Sequence, residues 1–421
     1  MPFLYHPLYL FQMADGPGKP IDYRFLILMD MTVRMGDAVG VQKGMVMLVT
    51  MFMAMRMIVV MFVNMIFHMP TSFILYIISY FLRTCKPPGG MFSEPFAIRA
   101  HILFGGDFMA IVQTDIPITS ASNQQMIGDL MRTYPFCRTE TIATTAFQRP
   151  ISTLVIGNGP RKVLFTAAHH ANEWITALVL LKFAEAFAQA IQTSGTIGGE
   201  NARALAEKAT VYMIPLVNPD GVDLVTGALQ PGNIQYDLAR RLAQDYPTIP
   251  FPNGWKANLL GVDLNLQYPA GWLKAREIKF SQGYTSPGPR DYVGRAPLNQ
   301  LETRALAEFT EFLDPELILA YHTQGKEIYW QFQDIVVPGT EELGQKMAQA
   351  SGYTLANVPY GSGFAGYKDW FLQNFRRPGY TIEAGSGENP LPLSQFQEIY
   401  QDNLPILILG ILGLDISEQT L

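Results

Sequence analysis

An α/β fold, with a mixed, largely parallel twisted sheet and helices on both faces, is what the sequence predicts from residue 109 onward. Two observations lead there. Short apolar runs alternate with helical stretches, the pattern of a sheet layered with helices. The runs also end, one after another, in polar residues that can hold a metal or move a proton. In open α/β sheets ligands bind outside the carboxyl ends of the strands, so that edge is where a site is expected.

The elements follow in order. Lys162–Ala168 (KVLFTAA) reads as a buried strand, and a helix is expected from Ile175 to Gln192. Thr210–Val217 (TVYMIPLV) is a second strand, closed by the turn signal Asn218-Pro219-Asp220-Gly221. Leu301–Leu313 has the pattern of an amphipathic helix that stops before Pro315. Leu317–Tyr321 (LILAY) and Gly379–Ile382 (GYTI) complete the strands that matter. After the first strand come His169, His170 and Glu173; after LILAY comes His322; after GYTI comes Glu383.

Composition bounds the class. The chain has 421 residues, which as a soft prior of about 150 residues per domain suggests two or three domains. That length supplies a core without help from disulfides or metals. Two cysteines, Cys85 and Cys137, make neither a disulfide framework nor a cysteine-rich zinc module. With 30 Lys+Arg against 36 Asp+Glu the net charge is −6, which argues against a nucleic-acid partner.

The composition breaks near residue 108. Fifteen of the 20 Met lie between Met1 and Met91, whereas all five Trp lie beyond residue 170. Met45 to Phe67 is apolar except for Thr50, Arg56 and Asn64, long enough to cross a bilayer that needs about 20 apolar residues. Arg56 near its middle costs roughly 2.5–3.5 kcal/mol on insertion scales. A second run, Phe73 to Leu82, is short for a span, and a cleavable signal peptide fits poorly. Three readings of residues 1–108 stand: a membrane anchor, a segment buried against the main domain, or a stretch that is not native because translation starts at Met109. Two parts are therefore expected, the Met-rich segment 1–108 and the α/β domain 109–421. The compartment depends on that choice: cytoplasmic for a Met109 start, membrane-attached if the apolar segment is real.

Only three His lie beyond residue 109, and the constellation at the strand ends uses two of them, His170 and His322. His170 and Glu173 are three apart, so on one turn both can face one point. With His322 they form a His₂Glu set, which leaves zinc an open position. An H-x-x-E pair is weak evidence alone; convergence from separate strands strengthens it. His169 reads as a packed neighbour rather than a ligand. Glu383 taken alone is equally a buried ion-pair partner.

HHANEWIT (169–176), NPDG (218–221), GVDLN (261–265), YHTQG (321–325) and YTIEAG (380–385) together resemble, in order and spacing, the zinc carboxypeptidases (M14 peptidases) over about residues 120–415. HTQGKEIYW (322–330) and EAGSGENPLP (383–392) look most like the subgroup that cleaves γ-D-glutamyl-diamino acid bonds of peptidoglycan peptides. The resemblance implies one Zn²⁺ per chain on His170, Glu173 and His322, with Glu383 as general base. It implies that Lys256, after Trp255, takes the place of the family's oxyanion-binding Arg; a solvated surface Lys is the alternative. Asn265 matches the Asn of an Asn-Arg pair that grips a terminal carboxylate, but Leu266 stands where that Arg belongs. The stretch 360–370 resembles the family's specificity segment. Tyr360 is the candidate mobile Tyr, one residue off register, and Gly361, Gly363 and Gly366 would let this loop move. Lys368 falls at the specificity position, where it would read a carboxylate or else pair with a neighbouring acid. Arg376 and Arg377 are candidate substitutes for the missing clamp.

The function implied is hydrolysis of γ-D-glutamyl-diaminopimelate bonds in peptidoglycan-derived peptides. The alternatives are a carboxypeptidase on other peptides, a zinc amide hydrolase or deacylase of small N-acyl amino acids, and a non-catalytic peptide binder. The partner expected is a muropeptide, with a membrane involved only if residues 1–108 are real.

Overall fold

In the computed structural model, which describes residues 110–414, the chain enters through α1 (Ser120–Thr133). Thr119 caps that helix by accepting from the Ser122 amide, while the Ser122 side chain caps the Thr119 amide in return. Strands β1 (Thr141–Thr144), β2 (Pro150–Ser152), β3 (Leu154–Ile156) and β4 (Arg161–Thr166) follow, then α2 (Ile175–Thr193). A small ribbon of β5 (Thr196–Ile197) and β6 (Glu200–Asn201) leads into α3 (Ala202–Lys208) and β7 (Ala209–Ile214). Helices α4 (Pro219–Val225), α5 (Ile234–Ala243), α6 (Trp272–Ser281) and α7 (Leu301–Leu313) come next, then β8 (Leu317–His322) and β9 (Glu327–Tyr329). The order closes with α8 (Thr340–Ser351), β10 (Thr354–Ala356), α9 (Tyr367–Phe375), β11 (Gly379–Glu383) and α10 (Phe396–Leu412).

Seven strands form the main sheet in the order β10-β9-β11-β8-β4-β7-β3. The four central strands β11, β8, β4 and β7 are mutually parallel, and β3 and β9 join them antiparallel. The predicted class is therefore what the chain adopts. Side chains alternate between two cores. Val163 and Phe165 of β4 and Leu317, Leu319 and Tyr321 of β8 pack on one face, with α2, α3, α8 and α10. Leu164, Ile318 and Ala320 pack on the other, with α7 and α9. A strand buried on both faces reads as a continuous apolar run, which is why KVLF and LILAY carry no polar alternation.

The expected elements match to within a few residues. Leu301–Leu313 is helical over that span, β4 and β7 are shorter at their C-terminal ends than expected, and β8 and β11 each run one residue further, onto His322 and Glu383. Helix α2 is long and apolar enough to cross a membrane, yet it is the core helix here, with Leu178, Val179, Leu180, Leu181 and Phe183 fully buried. The Met-rich stretch, its apolar runs and the Met109 start lie outside the described residues.

Candidate active site

Register places the chemistry. In the parallel pair β8–β11, Glu383 lies directly beside His322, and in the antiparallel pair β11–β9 it lies beside Glu327. Ile318, Ala320 and His322 share one face of β8 by the two-residue repeat, and Thr381 and Glu383 line the cleft from the matching face of β11. From β4 the chain turns at Ala168, which takes a left-handed φ of 49°, into a short 3₁₀ turn, Ala171–Glu173, capped by His170. Thr176 bridges that turn: its hydroxyl donates to the Glu173 carbonyl at 2.7 Å and accepts from the Ala168 amide at 3.1 Å.

His170, Glu173 and His322 converge, all buried, with ligand atoms within 4.8 Å of one another. His170 Nδ1 is 2.8 Å from Glu173 Oε1, His322 Nδ1 is 2.8 Å from Glu173 Oε2, and the two Nδ1 atoms are 3.2 Å apart. Ligands about 2.0–2.1 Å from a tetrahedral zinc stand roughly 3.3 Å from each other, so the nitrogen spacing fits such an ion. Two imidazoles and one carboxylate are also the donor set of a zinc centre with an open position. Burial pushes the Glu173 carboxyl up, but the His170, Lys256 and His322 charges outweigh it and hold Glu173 well below the usual carboxylate range.

Asp263 orients this set, and the sequence reading gave it no role. A carboxylate only accepts, so His170 Nε2–H donates to Asp263 Oδ1 at 3.1 Å, leaving Nδ1 toward Glu173 and His322. Asp263 is in turn fixed by the Asn265 amide at 3.1 Å and the Asp291 amide at 3.3 Å. His169 is fully buried, bonds Thr166 through Nε2 at 2.9 Å and stacks on His322 at 5.1 Å, so it packs behind the set as expected.

Glu383 lines the same cleft, and among the described residues nothing hydrogen-bonds its carboxylate. Burial first, then the Glu173 charge, push its carboxyl up to about 8. Tyr329 also lines the cleft and donates to Glu327 Oε2 at 2.6 Å, a neighbour of Glu383 that spacing did not reveal.

Lys256 Nζ stands 3.5 Å from Glu173 Oε1 with 19% of its side chain exposed, so it is a cleft residue rather than a solvated surface Lys. Its loop is held by the NPDG turn. Asn218 Nδ2 donates to the His169 and Ala257 carbonyls at 3.2 and 3.1 Å, and the Ala171 amide donates to the Lys256 carbonyl at 2.9 Å. A Cβ on Gly221 would stand 2.6 Å from the Ala257 carbonyl oxygen and 2.8 Å from Ala171 Cβ, so this close approach requires glycine.

The candidate substrate residues divide. Asn265 lines the cleft, and its Oδ1 accepts from the Tyr367 amide at 2.9 Å, at the start of α9. Lys368 also lines the cleft but is 3% exposed, its ammonium 2.6 Å from both the Gln331 carbonyl and Asp369 Oδ1. The pairing with a neighbouring acid, one of its two readings, is thus present. Tyr360 is 68% exposed on a 3₁₀ turn, packs edge-on against Phe364 and is not among the residues lining the cleft. Arg377 binds Asp314 at 2.7 Å just ahead of β11, opposite the strand ends that carry the site. Neither it nor Arg376 lines the cleft, so they do not replace the missing clamp. The loop after β11 is pinned to the loop after β8: Thr323 donates to Asn389 Oδ1 at 2.6 Å and Asn389 donates back to the Thr323 carbonyl at 3.0 Å. The cleft has a volume of about 930 Å³, within the roughly 300–1,000 Å³ of small-ligand sites.

Comparison with known proteins agrees with this geometry. Residues 124–406 match the family model described as zinc carboxypeptidase. The chain is 40% identical over 285 residues to gamma-D-glutamyl-L-diamino acid endopeptidase 1 of Lysinibacillus sphaericus, covering 68% of this chain and 70% of that protein. It is 35% identical over 286 residues to the uncharacterized protein YqgT of Bacillus subtilis (strain 168), covering 68% and 74%. Among solved structures, bovine thrombin-activatable fibrinolysis inhibitor in complex with tick carboxypeptidase inhibitor superposes with a TM-score of 0.55 at 16% identity, covering 71% of this chain and 97% of that one. Carboxypeptidase A of Helicoverpa armigera gives 0.55 at 16% identity, covering 75% and 79%. At that identity the two structures speak for the fold.

Proposed function

This chain belongs to the zinc carboxypeptidase family and is a metallopeptidase, and we propose that it hydrolyses γ-D-glutamyl-diamino acid bonds of peptidoglycan-derived peptides. The observation that carries the reading is the 40% identity with a protein of that name, joined to a cleft with Leu266 where an Arg would clamp an ordinary peptide C-terminus.

In this reading His170, Glu173 and His322 hold one Zn²⁺ per chain, with Asp263 fixing the His170 ring. A zinc ion bound there polarises the scissile carbonyl and makes a water nucleophilic near neutral pH. Glu383 takes the proton from the attacking water and delivers it to the departing amine. Its placement supports this: it is one strand away from His322, in the same cleft, with no competing hydrogen bond among the described residues. Lys256 faces the negative charge that develops on the carbonyl oxygen, as a point charge rather than a fork. Asn265 contributes its amide N–H groups, because its oxygen already serves Tyr367. Lys368 keeps one donor beyond Gln331 and Asp369 for an acidic substrate group. Tyr360 closes over bound substrate from the rim, on a turn that contains Gly361 and ends at Gly363.

The test uses the zinc-loaded protein with L-Ala-γ-D-Glu-meso-diaminopimelate, a chelated control and a generic peptide with a free C-terminus, products followed by mass spectrometry. Release of diaminopimelate, abolished by chelation and absent for the generic peptide, is expected. Cleavage of the generic peptide alone would make this an ordinary carboxypeptidase. Cleavage of neither would bring forward a deacylase of small N-acyl amino acids.

A further inference from the structure

Four cationic side chains line the cleft among the described residues: Lys256, Lys279, Arg290 and Lys368. Three lie against protein acids. Lys256 lies against Glu173, Lys368 against Asp369 and the Gln331 carbonyl, and Lys279 Nζ is 2.7 Å from Asp291 Oδ1 with 10% of its side chain exposed. Arg290 differs. Its side chain is 39% exposed, and its Nε alone is engaged, 2.6 Å from Asp291 Oδ2. Among the described residues nothing bonds Nη1 or Nη2, the pair of nitrogens that forms the end-on fork of a guanidinium.

That fork is held in place rather than loose. Asp291 stands between Arg290 and Lys279, takes a left-handed φ of 64°, and its amide donates to Asp263 Oδ2 at 3.3 Å. Asp263 is the residue that orients His170. Arg290 is therefore tied through one acid and one backbone amide to the metal-ligand set. Asp291 is neutralised by two cations, so the trio keeps one net positive charge.

A free carboxylate is gripped best by two adjacent unspent donors, and Lys368 has only one left beyond Gln331 and Asp369. The residue after Asn265 supplies none, because Leu266 is apolar and 7% exposed. We propose that Arg290 is the carboxylate clamp of this enzyme, binding a free carboxylate of the leaving diamino acid through its Nη pair. A planar fork matches a carboxylate with two parallel charge-assisted hydrogen bonds, which an ammonium cannot do. The assignment rests on the proposed hydrolysis for the identity of the substrate but not for the chemistry of the group bound.

The experiment compares the zinc-loaded protein with Arg290→Gln and Arg290→Lys on two substrates: L-Ala-γ-D-Glu-meso-diaminopimelate, and the same peptide with both diaminopimelate carboxylates converted to carboxamides. Arg290→Gln should raise KM for the free acid roughly 10- to 100-fold, the loss of a charged hydrogen-bonded pair. It should leave zinc content and melting temperature unchanged and barely alter the carboxamide. Arg290→Lys, which keeps the charge and loses the fork, should fall between. Equal losses on both substrates, or no loss on either, would overturn the assignment. If the wild-type protein cleaves neither peptide, the proposed hydrolysis fails, but the clamp is still tested by calorimetric binding of meso-diaminopimelate and its diamide. Weaker binding of the acid alone in Arg290→Gln supports the clamp; equal or absent binding in both proteins overturns it.

Discussion

His170 shows how much of this site depends on one residue that spacing does not reveal. One ring nitrogen faces Glu173 and His322 while the other is held by Asp263. A carboxylate behind a ligating imidazole fixes its tautomer and raises its basicity, and losing such a partner typically weakens metal binding about 10- to 100-fold. Asp263→Ala should therefore lower zinc affinity by that factor, measured by competition with a chromophoric chelator, with the fold intact by circular dichroism. Unchanged affinity would mean that packing alone orients the ring. His170, Glu173, His322 and Glu383 are legible in sequence because each follows an apolar run that ends at one edge of a sheet. Asp263, Tyr329 and Arg290 are not. They come from loops and from a three-residue strand, where no period encodes which way the backbone carries the side chain.

Helix α7 carries a titratable group whose environment works against it. Glu302 sits in its first turn, 4% exposed, bonded by Asn258 Nδ2 at 3.3 Å, on the loop that leads from Lys256 to Asp263. The helix N-terminus favours a carboxylate, but burial dominates and pushes the Glu302 carboxyl from 4.5 up to about 7. A carboxyl that binds its proton more tightly when folded destabilises the fold as pH rises. The penalty is absent below the unfolded value near 4.5 and complete above about 7, on the order of 3 kcal/mol. Glu302→Gln keeps the hydrogen-bond acceptor and removes the charge, so its melting temperature should exceed that of the wild type at pH 8, with the gap closing toward pH 5. A gap independent of pH would refute the account. The helix itself was legible residue for residue, because one apolar face repeats between a polar start and Pro315. The register of β11 on β8, which sets Glu383 beside His322, was not: two strands buried on both faces carry no pattern that distinguishes one pairing offset from another.

For the molecule as a whole, the fold class was legible because four buried parallel strands announce themselves as apolar runs, and the zinc carboxypeptidase resemblance rested on their ends. The edge strands β9 and β10, three residues each, carry no such signal. The abrupt change of composition near residue 108 was equally plain in sequence, but it lies outside the described residues. What joins the scales is the proposal that His170, Glu173, His322 and Glu383, brought by three separate strands to one cleft, act as one hydrolytic unit. The most direct test measures bound zinc and turnover together, for the wild type and Glu383→Gln. The account predicts one zinc per chain in both proteins, with turnover reduced in the variant by roughly 10²- to 10⁴-fold, the usual worth of a general base. Unchanged turnover in the variant, or no zinc in either protein, would contradict it.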